Sequence, residues 1–197
     1  MNELLRPAAR LLLVMSALTG VLYPAAVTGV ARRLAPWPAG GSAIEANGRL
    51  VGSALVGQPF DDPGYFWGRP SATPGFPYDA ASSAGSNLDR NSPALTAAVR
   101  ARVAALRTAD PDNAAPIPVA LVPASGSGLD PHVSPAAAEY QLRRVARVRG
   151  LTQERVRRMV AEHTEGRTFG LLGEPRVNVL ELNLSLDALA PEDPRAP

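Results

Sequence analysis

The chain has 197 residues, enough for one ordinary domain or a small domain with an appendage. All 20 basic residues are arginine, set against 18 carboxylates, and there is neither lysine nor cysteine. Those absences exclude Lys-ended phosphate loops, Ser-Lys dyads and Schiff bases, and argue against nucleotide hydrolysis by this chain on its own. They also exclude disulfides, thiolate zinc sites, cysteine nucleophiles and cysteine lipidation.

From Leu11 to Ala31 the sequence carries no charge, between Arg6 and Arg10 on one side and Arg32 and Arg33 on the other. About 20 apolar residues cross a hydrocarbon core as a helix, so this run predicts one transmembrane span. The competing expectation is a cleaved secretory signal, with a site near Ala25-Ala26 or Gly29 to Ala31; the length of the run and the arginine pair after it favour retention. Ser16, Gly20, Pro24 and Thr28 recur every fourth residue, with Ala17, Val21, Ala25 and Gly29 beside them. This is a small-residue face that lets another membrane helix come close, unless it reflects only the abundance of small residues in spans. Pro24 leaves one backbone carbonyl without its donor. Two arginines at each end leave the orientation open.

Residues 35–46 read as a Pro-, Gly- and Ala-rich linker, 47–190 as a folded domain starting near Asn47, and 191–197 as a frayed, flexible tail. Leu50 to Val56, closed by Gly57 and Pro59, predicts a buried strand. Asp61-Asp62-Pro63-Gly64 predicts a solvated turn, in competition with an acid/base or metal pair. Ser92-Pro93 places an N-cap and a first-turn proline before a helix whose apolar positions are Leu95, Val99, Val103 and Leu106. The oxygen-rich Ala84 to Asp89 ahead of it suits a loop, since Gly and Asn tolerate left-handed backbone and Ser, Asn and Asp side chains bond to nearby amides. Asn87, Asp89 and Asn91 as hard ligands for potassium or calcium are the alternative, without the regular ladder of a calcium loop.

Pro118 to Val122 predicts a second strand. In the loop after it, Gly126 and Gly128 would let backbone approach a phosphate, with neither a lysine nor a full Gly-rich fingerprint to support that. Ser134-Pro135 opens a helix that ends at Gly150, and Thr152 caps the next. Seven arginines fall between Arg143 and Arg158, with Glu139/Arg143 and Glu154/Arg158 at ion-pair spacing. A solvated basic face is expected over a docking patch for an acidic partner or lipid headgroups. His132 and His163 have no companions at metal-binding spacing. The segment from Val177 is ambiguous between strand alternation and a helix capped by Asn178; the spacing of Leu180, Leu184 and Asp187 favours helix. The expected fold is a single N-terminal transmembrane helix followed by a small mixed α+β soluble domain.

Leu18-Thr19-Gly20 with Tyr23-Pro24, "VGSALVGQPF", "YFWGRPSAT", "AGSNLDRNSPAL", "SGLDPHVSPAAAEYQ", "RVARVRGL" and "HTEGRTFGLLGEPRVNVLELN" together resemble the KdpC family, the C subunit of the bacterial Kdp potassium-transporting P-type ATPase, over nearly the whole chain. The resemblance implies an accessory, non-catalytic subunit in the cell membrane, its N-terminus cytoplasmic and its domain extracytoplasmic. Its implied partners are a channel-like potassium-binding subunit, a P-type ATPase subunit and a small single-helix subunit, with ATP and potassium handled by the complex and no metal site of its own. It also implies a catalytic-chaperone role that raises the ATP affinity of the ATPase subunit, with Gln58 matching a glutamine implicated in nucleotide contact; strand-end packing is the other reading of Gln58. Arg69, Ser71, Gly85, Ser86, Asn87, Asn91, Asp130, Pro131, His132, Ser134, Pro135, Gln141, Arg144, Asn178 and Asn183 match the family motifs and are expected to be structural or interfacial. The alternatives are a secreted or anchored enzyme working through Ser125 or Asp61-Asp62, and a nucleotide-binding module using Gly126 to Pro135.

Overall fold

A computed structural model describes residues 2–46 and 48–189, so the expected domain start at Asn47 and tail 191–197 lie outside the described residues. Packing divides the chain into two units, residues 1–51 and 52–197. In the first, α1 (Asn2–Ala17), a π-helical turn (Leu18–Leu22) and α2 (Tyr23–Leu34) run on as one rod. Its stretch Leu4–Leu34 is 31 residues long and contains an 18-residue run with a mean hydropathy of 1.9, long and apolar enough to cross a membrane.

The π turn answers the proline. Pro24 has no N–H, and its ring crowds the carbonyl four residues back. The helix widens instead, and the Tyr23 N–H reaches five residues back to the Leu18 carbonyl. Thr19 Oγ1 adds a donor to the Met15 carbonyl at 2.7 Å. Ser16 lies before the turn, Gly20 within it, and Pro24 and Thr28 after it. Four-residue alignment therefore holds on either side of the turn and is offset across it. After the rod come a short helix, α3 (Pro36–Ala39), and two paired strands, β1 (Ala43–Ala46) and β2 (Arg49–Ser53). Trp37 Nε1 donates to the Ala43 carbonyl at 2.9 Å, pinning that turn. β2 stops short of the predicted Val56: the chain turns at Ala54 and Leu55, a lone bridge joins Ser53 to Val56, and Leu50 is exposed rather than buried.

The second unit contains α4 (Pro93–Ala109), a 3-10 turn (Val119–Leu121), β3 (His132–Val133), α5 (Pro135–Arg149), α6 (Gln153–Glu162), β4 (Thr164–Glu165), β5 (Arg176–Asn178) and α7 (Val179–Asp187). The strands form a small antiparallel sheet in the order β3-β5-β4, with Val177 opposite both Val133 and Thr164. The core gathers Leu142 and Val145 of α5, Val156 of α6, Val177 of β5, and Leu182 and Leu186 of α7.

Caps fix the helix ends. Ser134 accepts from the Ala137 N–H and Thr152 from the Arg155 N–H. Gly150 takes φ 66°, and the Leu151 N–H returns to the Ala146 carbonyl at 2.9 Å, a Schellman stop that glycine makes without strain. Asn178 ends β5 and caps α7, accepting from the Leu180 and Glu181 N–H groups, so strand and helix readings each describe part of that segment.

Two further expectations fail. Ser92 occupies the N-cap position with Pro93 after it, yet its hydroxyl does not cap; its carbonyl accepts from the Thr96 N–H and hydroxyl instead. Pro118 to Val122 is no strand. Pro116, Pro118 and Pro123 offer no ladder donors, and the segment folds as the 3-10 turn with Val119 78% exposed.

The chain from 57 to 92 forms no helix or strand, although Phe66 and Trp67 within it are buried in the core. Two carboxamides replace the missing ladder. Asn183 of α7 accepts from the Phe66 N–H at 2.9 Å and donates to the Phe66 carbonyl at 3.0 Å. Gln141 of α5 does the same for Trp67, at 2.8 and 3.0 Å. Replacing Asn183 by near-isosteric Leu leaves both Phe66 backbone groups buried and unpaired, so Asn183→Leu is expected to cost about 2–5 kcal/mol. A lowered denaturant midpoint of the full chain in detergent would register the loss, and an unchanged midpoint would contradict the clamp.

Candidate functional site

The family-motif residues converge on the loop from 57 to 92 and on what holds it. Arg144 of α5, fully buried, lies with its guanidinium carbon 4.7 Å from the Trp67 ring centre. It donates to the Pro63 carbonyl and, at 2.7 Å, to Gln141 Oε1. Burial lowers its pKa to about 10, with the Asp110 carboxylate pulling the other way, so it stays charged at neutral pH. Arg102 of α4 stands 5.3 Å from the same ring and donates to the Leu121 and Gly68 carbonyls at 3.1 and 2.9 Å. Burial lowers its pKa too.

A second cluster joins the loop to β3. Arg69 pairs with Asp130 at 3.0 Å, the His132 backbone N–H donates to Asp130 Oδ1 at 3.0 Å, and His132 Nδ1 lies 3.4 Å from that oxygen. Burial pushes the Asp130 carboxyl up, but the His132 ring and backbone N–H together with Arg69 outweigh it and hold the group below its ordinary value. A cavity of about 260 Å³ opens here, lined also by Ser134, Glu174 and Arg176. Pro131 is buried and its carbonyl accepts from the Val179 N–H at 3.0 Å.

Ser71 works as a turn bracket, donating to the Gly128 carbonyl at 2.7 Å and accepting from the Tyr78 N–H at 2.9 Å. Tyr78, at φ 60°, donates its hydroxyl to the Arg69 carbonyl, and burial raises its pKa. Arg69, Ser71, Tyr78, Arg102 and Asp61 line a further cavity of about 220 Å³.

The glycine-rich loop serves packing. A Cβ on Gly85 would sit 2.8 Å from the Gly126 carbonyl oxygen, and one on Gly128 would sit 2.5 Å from the Ala84 carbonyl oxygen. The Ala84 N–H donates to the Ser127 carbonyl at 2.9 Å. Close backbone approach is thus satisfied within the chain. Ser86, Asn87 and Asn91 are exposed. Asn87 takes φ 48° and donates to the Gly85 carbonyl, and Asp89 accepts from the Asn91 N–H at 2.8 Å, which is turn chemistry. Gln58 is half-buried against β2: a Cβ on Gly52 would fall 2.3 Å from its Nε2. That contact matches strand-end packing.

The enzymatic alternatives find no assembled chemistry among these residues. Ser125 is buried, its N–H given to the Pro70 carbonyl at 2.9 Å. Asp61 is exposed, and Asp62 closes its turn by accepting from the Gly64 N–H at 2.6 Å. His163 is placed 2.8 Å from the Met159 carbonyl and 2.8 Å from Ser185 Oγ, a latch between α6 and α7. Among the described residues, no three His, Asp or Glu side chains are gathered to hold a metal ion.

The basic face is largely dismantled. Besides buried Arg144, Arg147 meets Asp110 at 2.9 Å and Arg149 meets Asp187 at 2.8 Å. Glu139 and Glu154 both turn to Arg157, at 2.9 and 3.4 Å, instead of to Arg143 and Arg158. α5 and α6 pack side by side, which brings Arg157 of α6 to Glu139 of α5, while Glu154 meets the same arginine within α6 at i,i+3 instead of i,i+4. The sequence reading missed Asp110, Arg102 and Tyr78. Only the position of Asp110 at the end of α4 was visible in the pattern.

An apolar rod of membrane-spanning length followed by an α+β unit fits the class of single-span, membrane-anchored proteins. The profile described as "KdpC: K+-transporting ATPase, c chain" matches residues 5–188. The chain is 64% identical over 183 residues to the potassium-transporting ATPase KdpC subunit of Sorangium cellulosum, covering 93% of this chain and 96% of that one. It is 61% identical over 191 residues to that of Polaromonas naphthalenivorans, 97% of each, and 60% identical over 184 residues to that of Methylococcus capsulatus, 93% and 97%. The chain belongs to the KdpC family.

Asp130 makes the cluster acid-sensitive. A carboxyl whose folded pKa is depressed adds stability above its unfolded value, near 3.9, and that contribution is lost as pH falls through the folded value. Stability followed from pH 7 downward should fall below about pH 4, and Asp130→Asn should flatten that acid limb. A limb of unaltered slope would remove Asp130 from the account.

Proposed function

We propose that the chain is the accessory, non-catalytic subunit of an ATP-driven potassium uptake pump. The match to potassium-transporting ATPase KdpC subunits along nearly the full length carries this reading. The rod anchors the subunit and packs against membrane helices of its partners: a channel-like potassium-binding subunit, a P-type ATPase subunit and a small single-helix subunit. The folded domain stands on the extracytoplasmic side and steadies the potassium entrance. From there it has no access to cytosolic ATP, so any rise in the nucleotide affinity of the ATPase subunit is a coupling through the partners. Gln58 contributes to that coupling by packing against Gly52 rather than by touching nucleotide.

Within this chain a Cβ at Gly20 meets no atom within 4 Å, so nothing internal requires glycine there. Its smallness serves a neighbouring helix. Gly20→Ile is therefore expected to reduce co-purification with the other subunits after detergent extraction roughly tenfold while leaving the fold intact, since hot-spot losses at packed interfaces reach that size. Undiminished recovery would count against the packing role.

Orientation has its own test, because the chain lacks cysteine. A single Val119→Cys, at a well-exposed position, should react with a membrane-impermeant maleimide on intact cells. Labelling only after lysis would reverse the topology.

A further inference from the structure

Between β4 and β5 the chain makes a hairpin whose tip is the most apolar exposed point of the second unit. Phe169 is 89% exposed, Leu171 79% and Leu172 63%. The tip is built, not loose: the Thr168 and Leu172 backbones exchange hydrogen bonds of 2.8 and 2.9 Å, and the Gly170 N–H donates to the Arg167 carbonyl at 2.9 Å. Phe169 adopts φ 54°. Left-handed backbone disfavours a bulky aromatic and suits glycine or asparagine. Neither backbone preference, nor burial, nor solubility accounts for phenylalanine there, and contact with another molecule does.

The flanking charges indicate what that molecule is. Arg167 pairs with Glu174 at 2.8 Å, and Arg176 pairs with Glu165 at 2.7 Å, one ion pair behind the other along the hairpin. Surfaces that insert into lipid headgroups combine apolar side chains with unpaired cations, whereas here each arginine is neutralised by its own glutamate. An uncharged, preorganised knob with a polar collar is the pattern of a protein–protein anchor, in which aromatic residues fill a pocket inside a polar rim. We infer that Phe169, Leu171 and Leu172 form the plug by which the folded unit seats in an apolar socket on another subunit of the pump. This rests on the proposed function, because a subunit of the same assembly is the protein partner that family membership supplies.

The test uses the full chain co-expressed with the other subunits. A benzophenone amino acid at position 169 should form a covalent adduct with another subunit's polypeptide on illumination. Adducts with lipid alone, with a second copy of this chain alone, or no adduct in an intact complex would overturn the inference while leaving the proposed function standing. Failure of the unsubstituted chain to co-purify with the pump at all would overturn both.

Phe169→Asn separates docking from folding. Asparagine tolerates the left-handed backbone, so the Tm of the full chain should equal or exceed that of the parent. Retention on an affinity-tagged ATPase subunit through detergent washes should fall about tenfold, and Phe169→Leu should restore most of it. Equal retention of Phe169→Asn and parent would refute the plug.

Discussion

The second unit depends on one constraint: an extended segment with no strand partner has to enter the core. Phe66 and Trp67 bring large apolar surfaces inward, but their backbone N–H and C=O groups come with them, and buried peptide groups need partners. Asn183 and Gln141 each present an amide whose oxygen accepts and whose nitrogen donates, reproducing both hydrogen bonds of a sheet pair with one side chain. α5 and α7, which carry these amides, are tied to the segment and, through β5, to each other. Much of what the loop presents outward, including the Arg69 and Ser71 clusters, is positioned downstream of those two clamps.

The exclusive use of arginine fits this architecture. Arg144 and Arg102 flank the Trp67 indole and spread their donors over carbonyl oxygens of Pro63, Leu121 and Gly68. A planar guanidinium serves several acceptors and an aromatic face at once, where a lysine ammonium offers one compact point of strongly hydrated charge. Arg149 repeats the arrangement, stacking 4.4 Å over Tyr65 while bonding the Gly64 carbonyl and Asp187. Tyr65 donates to the same carboxylate at 2.9 Å, which closes the far end of α7 onto the loop.

Helix punctuation was legible in the residues because it is local chemistry: Ser134-Pro135, Gly150, Thr152 and Asn178 sit where their side chains or backbone freedom are needed. The apolar rod was legible by length alone, and its π turn was foreshadowed by Pro24. The clamps were not. Periodicity reads Gln141 and Arg144 as surface because they are polar, yet both fall on the face of α5 that also buries Ala137, Ala138 and Val145. Their spacing relative to those alanines was the available signal. Pro118 to Val122 shows the opposite case: its apolar composition suggests a strand, but the prolines remove the donors that a strand requires. Glu139 pairs with Arg157 because an i,i+4 rule describes an isolated helix and here a second helix lies alongside, whereas Glu154 takes the i,i+3 partner on its own helix, which the same face offers equally well.

The motif residues capable of chemistry are largely consumed in holding the fold. Asp130 is shared between Arg69 and His132, Ser134 caps α5, Asn178 caps α7 while donating to the Ala54 carbonyl, and the carboxamides brace the loop. A side chain committed to two or three internal hydrogen bonds cannot also meet a substrate without releasing buried groups, at a cost comparable to the clamp itself. What remains uncommitted is shape and apolar surface: a rod with open space around Gly20 and Gly29, and a neutral hairpin tip that projects rather than packs. A chain so arranged offers surfaces for contact, and how well they fit another molecule depends on how rigidly they are held. The rigidity of the second surface traces back through β5 and α7 to the same pair of amides.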